Sequence, residues 1–155
     1  MTVAADQGGS AGLFKIPLDG GQPVRLVAEQ AANPVWSPDG RFLIYSGVEV
    51  GTTFPLKAIT AQGEPYRIPE VILSRGAKRF SFLPGRSVLV VLKGDVWHKN
   101  FWSVDLVTGR QRQITNFSHE FLINDFDVSP DGEEIIFSRL KENANVVLID
   151  LPEFR

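Results

Sequence analysis

The sequence predicts an all-β chain: a segment of a β-propeller with about three four-stranded antiparallel blades, an incomplete ring. Three observations predict it. The motif Ser-Pro-Asp-Gly occurs twice, in "WSPDGRFLIY" (36–45) and in "VSPDGEEIIF" (128–137), each time before an apolar run. A related turn, "FLPGRSVLVVL" (82–92), lies midway, so that Pro38, Pro84 and Pro130 stand 46 residues apart, and a fixed period of this length marks a repeat architecture. Finally, no segment carries a helical period; "AEQAAN" (28–33) is too short to count.

Each element has a local cause. In Ser-Pro-Asp-Gly, proline presets φ, Asp bonds nearby backbone, and Gly takes the left-handed position that closes a hairpin. The middle copy reads as a turn that has lost one residue. "FLIY" (42–45), "VLVVL" (88–92) and "EIIF" (134–137) are short and continuous, as expected of strands covered on both faces. The segments that follow share one plan, an alternating strand, a Gly turn and a short last strand: "LFKIPLDGGQPVRLV" (13–27), "FPLKAITAQGEPYRI" (54–68) and "FWSVDLVTGRQRQIT" (101–115). A last copy, "NVVLIDLPEFR" (145–155), stops before its final strand. Proline or charge in "QPVRL", "EPYRI" and "RQRQI" marks these last strands as edges, because proline cannot donate to a ladder and charge discourages further pairing. A series of β-sandwich hairpins is the competing architecture, but it requires neither the constant period nor two-faced burial of every second strand.

The expected layout is a flexible tail over 1–11, an outer half-blade over 12–28, whole blades over 33–69 and 78–115, and a partial blade over 124–151. Such an arc leaves apolar blade faces in water, more than soluble monomers display. Either further blades of a longer protein or a second copy must cover them, and the start in mid-blade favours a longer protein.

Composition bounds the partners. The 155 residues are 43% hydrophobic and 22% charged, with 16 basic against 18 acidic side chains and a net charge of −2. That balance gives no electrostatic reason to expect nucleic acid or an anionic membrane. Cysteine is absent, so disulfides and thiolate metal sites are excluded. The start, "MTVAADQGGSAG", lacks the pattern of a signal peptide, and no apolar run is long enough to insert in a bilayer.

"PVWSPDGRFLIYSG" (34–47) and "FDVSPDGEEIIFSRLKENANVVLIDL" (126–151) resemble the repeats of TolB-like, WD-like β-propellers, and the resemblance runs from Gly12 to Leu151. "GDVWHKNFWSVDLVTGRQRQITNF" (94–117) and "LKENANVVLIDLP" (140–152) are similar to the C-terminal propeller of bacterial sensor proteins, where a kinase-like or winged-helix domain precedes the repeats. No kinase residues are present. The first resemblance implies six-bladed rings and protein–protein interaction in the bacterial envelope. The second implies a sensory or scaffolding part of a regulatory protein. Similar propellers also precede prolyl oligopeptidase-type hydrolase domains and filter their substrates, which gives an alternative function.

Candidate chemistry is sparse. "GGSAG" (8–12) satisfies the G-x-S-x-G pattern of a nucleophile elbow, but a strand follows it where the elbow needs a helix. His98 and His119 are too far apart, with no third ligand, to suggest a metal site. His98 is expected to pack beside Trp97 or Trp102. Asp19, Asp39, Asp105, Asp131 and Asp150 are expected to bond turn backbone, and the three tryptophans to fill gaps between blades. Arg75, Lys78 and Arg79 form one basic group and Arg110 and Arg112 another, both read as solvated edges. The expected function is a non-enzymatic binding or scaffolding module of a bacterial envelope or signalling protein, without cofactor or metal. Its partners would be a protein, missing blades of the same protein, or a second copy as a homodimer. Its location would be periplasmic as part of an envelope protein and cytoplasmic if the chain is complete. The residues expected to meet a partner, all in connections leading to first strands, are Asn33, Arg79, His119, Glu120 and Asn124.

Overall fold

A computed structural model of the chain describes residues 2–7, 10–74, 80–95, 98–118 and 121–140, with backbone alone at 3–7, 10 and 124. Among the described residues the structure is all-β, with no helix. The first sheet joins β1 (Thr2–Gln7), β2 (Ser10–Lys15) and β3 (Val24–Val27) in that order. The second follows the meander β4 (Ala32–Trp36), β5 (Phe42–Ser46), β6 (Thr53–Thr60) and β7 (Pro65–Tyr66), and β8 (Ile72–Ser74) pairs with the start of β6. The third holds β9 (Phe80–Phe82), β10 (Val88–Gly94), β11 (Lys99–Asp105) and β12 (Gln111–Gln113). The fourth, as described, pairs β13 (Leu122–Val128) with β14 (Ile135–Leu140). The third strand expected over 145–151 lies outside the described residues, as does Asp150.

The repeat is visible in the turns. Ser37, Leu83 and Ser129 each donate their N–H to the carbonyl five residues on, at Phe42, Val88 and Glu134, over 2.9 Å in every case. The middle turn has therefore lost no residue. Gly40 and Gly132 are left-handed (φ 70° and 76°), whereas in the middle copy Gly85 takes that conformation one place earlier (φ 65°). Pro84-Gly85 thus has the sequence demanded by a type II turn. In the outer copies the serine hydroxyl also accepts a backbone N–H, from Phe42 at 3.1 Å and from Glu134 at 2.9 Å, while donating to the turn Asp.

These bonds favour ionised carboxylates. The Ser37 hydroxyl, then the Arg41 N–H, hold Asp39 below its ordinary pKa of 3.8. The Ser129 hydroxyl, then the Glu133 N–H, do the same for Asp131. Asp105, at the turn after β11, is lowered by the Thr108 and Val107 N–H groups. A depressed folded-state pKa contributes stability that is present above 3.8 and is lost as pH falls through the folded value. The denaturation midpoint should accordingly fall between about pH 5 and about pH 2, and Asp39→Asn with Asp131→Asn should flatten that fall. An equally steep acid limb in the double variant would refute this.

Packing follows from strand alternation. All five β5 residues are buried, but successive side chains enter different cores. Leu43 and Tyr45 pack with Leu13, Val27 and Ile59 against the first sheet. Phe42 and Ile44 join Leu73, Phe80, Leu89 and Val91 in the core shared with the third sheet. A strand feeding two cores must have a sheet stacked on each side, the geometry of consecutive blades. Trp36 packs on the first of these cores and Trp102 on the second, as gap fillers; Trp97 lies outside the described residues.

Four local differences stand out. The stretch expected as a tail carries β1, whose six residues pair in register with β2, so the first sheet has three strands where half a blade was expected. Residues with low strand preference are held there by the ladder to β2. β8 lies in the stretch between the two expected whole blades, to which no strand was assigned. Leu18 belongs to a turn and is exposed instead of continuing an alternating strand. In β14, burial alternates instead of being two-sided, because sheet packs on one of its faces only.

Candidate binding surfaces

Of the five residues expected to meet a partner, Arg79, His119 and Glu120 lie outside the described residues. Asn124 is described by its backbone in β13, where register shifts between Ile123 and Phe126. Asn33 sits in β4 at an equivalent irregularity, between the pairs Ala32↔Ser46 and Val35↔Ile44. Its φ of 52° makes it the one left-handed residue other than glycine among those described, a conformation asparagine tolerates better than most. Its side-chain amide donates to Ser46 Oγ at 3.4 Å. In the fourth sheet the counterpart serine, Ser138, accepts the Asp125 N–H at 3.0 Å. The bulge and its serine are thus a repeated device that shapes the start of first strands. The signal in the sequence was the serine ending "FLIYS" and "EIIFS".

The β10–β11 hairpin carries a second polar group. Asp95 accepts the His98 backbone N–H at 2.7 Å and lies 2.9 Å from His98 Nδ1. Trp97, one of the two tryptophans expected beside His98, lies outside the described residues; the contact described at His98 is this carboxylate–imidazole pair. Ser74 donates to the Gly94 carbonyl, tying β8 to the same hairpin. Lys99 is buried, which pushes its amine below the ordinary lysine value, with Asp95 opposing.

A cleft of about 470 Å³ opens over β6 and β7. Lys57 Nζ meets Glu29 Oε1 there at 2.5 Å, and this bond raises the lysine pKa against the effect of burial. Burial raises the neighbouring Tyr45 phenol. The Lys57–Glu29 pair and the Tyr45 phenol give the cleft groups suited to hydrogen bonding. Asp19 and Asp105 bond turn backbone as expected, to Gly21 and to Val107 and Thr108. Ser10 pairs with Gln7 across the β1–β2 hairpin, between two strands, and not at the strand-to-helix turn of a nucleophile elbow. Among the described residues, no group of three or more His, Asp or Glu could hold a metal ion.

One surface breaks the repeat. Ile44, Val90 and Ile136 occupy equivalent places on second strands, 46 residues apart. Ile44 and Val90 are 0% exposed between sheets, whereas Ile136 is 68% exposed, and Leu140 on the same strand is exposed too. The opposite face of this sheet is covered: Phe126 and Phe137 pack edge-on against Phe101 of the third sheet, 4.9 Å and 5.5 Å between ring centres.

No protein-family model matches the chain, and no curated protein matches it. Solved structures do. A protein assigned as TolB from Agrobacterium tumefaciens superposes with a TM-score of 0.65 at 18% identity, over 90% of this chain and 50% of that one. TolB from Acinetobacter baumannii gives 0.58 at 14% identity, over 93% of this chain and 47% of that one. The chain spans about half the length of these structures. The likeness shows the fold, part of a TolB-like β-propeller.

Proposed function

We propose that the chain is a binding and scaffolding module, a TolB-like propeller segment that recognises a protein in a bacterial envelope or signalling system. The observation that carries this is the open apolar face at Ile136, which is register-equivalent to faces buried between blades elsewhere in the chain. Apolar surface of this kind is normally covered by a partner. Further blades of the same protein, or a second copy, would cover it, and the completed rim would present Asn33 and Asn124 where first strands begin. Arg79, His119 and Glu120 join them in this proposal through their places in the sequence. The hairpin of Asp95 and His98 adds polar groups suited to hydrogen bonding a partner chain.

Sedimentation of the 155-residue chain from low to high micromolar concentration tests the covering of the face. Association that rises with concentration and disappears in Ile136→Asp is the expected result, with thermal stability rising as the complex forms. A chain that stays monomeric and equally stable across the range, or that associates regardless of Ile136→Asp, would refute covering of the face by a second copy and leave further blades of the same protein as its cover.

A further inference from the structure

On the β9–β12 sheet, a cleft of about 340 Å³ is rimmed by three arginines, Arg86 from the turn before β10 and Arg110 and Arg112 from the last strand and its approach. Leu83 and Val88 contribute apolar surface, and Ser103 and Asp105 complete the lining. Among the described residues none of the three guanidinium groups has an ion-pair or hydrogen-bond partner. The one carboxylate present is occupied, since Asp105 Oδ1 accepts the Val107 and Thr108 N–H groups at 2.9 Å and 2.8 Å. Three cations thus converge beside one engaged carboxylate, in a chain whose net charge is −2.

Comparison with the preceding sheet shows that the repeat departs here. The pairings Phe42↔Thr60, Ile44↔Ala58 and Ala58↔Tyr66 match Val88↔Asp105, Val90↔Ser103 and Ser103↔Arg112. In the second sheet these positions form an apolar layer, with the Phe42 and Tyr66 rings stacked at 4.3 Å. In the third, serine stands for Ala58 and arginine for Tyr66. The inner half of the same face keeps its apolar character, with Val90, Leu92 and Phe101 buried. Polarity has been introduced only in the outer half, beside β12, which is the edge of its sheet.

We infer that this cleft recognises a carboxylate-bearing peptide strand lying along the β12 edge. Guanidinium groups bind carboxylates through paired, charge-assisted hydrogen bonds. An exposed edge offers main-chain groups to an added strand, and pockets for alternate side chains supply its specificity. Acidic side chains spaced two residues apart would meet Arg110 and Arg112, while apolar parts rest on Leu83 and Val88. All the lining residues belong to one sheet and its own turn, on the face of that sheet that also carries Phe101.

Fluorescence polarisation with a labelled peptide of alternating Glu and Val, measured on the whole chain, tests this. Saturable binding is expected, weakening with added salt and roughly tenfold or more in the Arg110→Ala, Arg112→Ala double variant. Arg41→Ala, in the turn of the second sheet and outside the cleft lining, should bind as the parent does. The substituted arginines are exposed, and an unchanged denaturation midpoint would confirm that the variants fold. Absence of peptide binding, equal binding by the double variant, or equal binding of a Lys/Val peptide would each overturn the inference. So would inorganic phosphate binding at these arginines while the peptide does not, since that would assign the cleft to a free anion.

Discussion

Val90→Asp and Ile44→Asp are expected to leave no folded protein, whereas Ile136→Asp at the same place in the repeat should fold as the parent does. Val90 and Ile44 lie wholly between sheets. Removing either forfeits about 1.5–3 kcal/mol of burial, and an unpaired buried charge costs about 3–5 kcal/mol more. The sum is comparable with the net stability of an ordinary domain, about 5–15 kcal/mol. Ile136 is largely in water, where substitutions fall within about 0.5 kcal/mol. Far-UV circular dichroism and denaturant unfolding of the three variants decide the matter. Three equal effects would show that sheet stacking does not set the burial of these positions.

The blade plan was legible because its signals are local. Proline and glycine set the hairpin turns through backbone sterics, and the short apolar runs report burial on both faces. The fourth strands were legible for the same reason, since Pro65 and the charges near β12 mark edges directly. Misreadings arose where conformation depends on partners distant in the chain. Leu83-Pro84-Gly85-Arg86 looks one residue short against Ser-Pro-Asp-Gly, yet the Leu83–Val88 hydrogen bond spans the same interval as in the other copies. β1 gains its order from β2, and β8 from the start of β6, so neither announces itself in composition. Asn33 was legible as a residue leading into a first strand, but its left-handed backbone and its bond to Ser46 depend on the register with β5. The arginine cleft was half legible: Arg110 and Arg112 drew notice as neighbours, while Arg86 reaches them only through the register of the third sheet.

Phe101→Ala should be among the most damaging single truncations, and its damage should be directional. The ring is 1% exposed and meets Phe126, Phe137 and Phe117 edge-on, at 4.9, 5.5 and 6.1 Å between centres. Truncating a buried phenylalanine costs about 3–5 kcal/mol, and aromatic pairs contribute about 0.5–1.5 kcal/mol beyond area. Phe101 stands on the face of β11 turned toward β13 and β14, opposite the face that meets the second sheet. The coupling lost is therefore between the third and fourth sheets. Since each blade contacts only its neighbours, stability is approximately a sum of blade and interface terms. Amide exchange in β13 and β14 should consequently accelerate much more than in β5 and β6, where the Phe42–Tyr66 and Leu43–Leu13 contacts remain. Uniform acceleration across all four sheets would mean that the arc unfolds as one unit and that neighbour-by-neighbour stacking does not govern its stability.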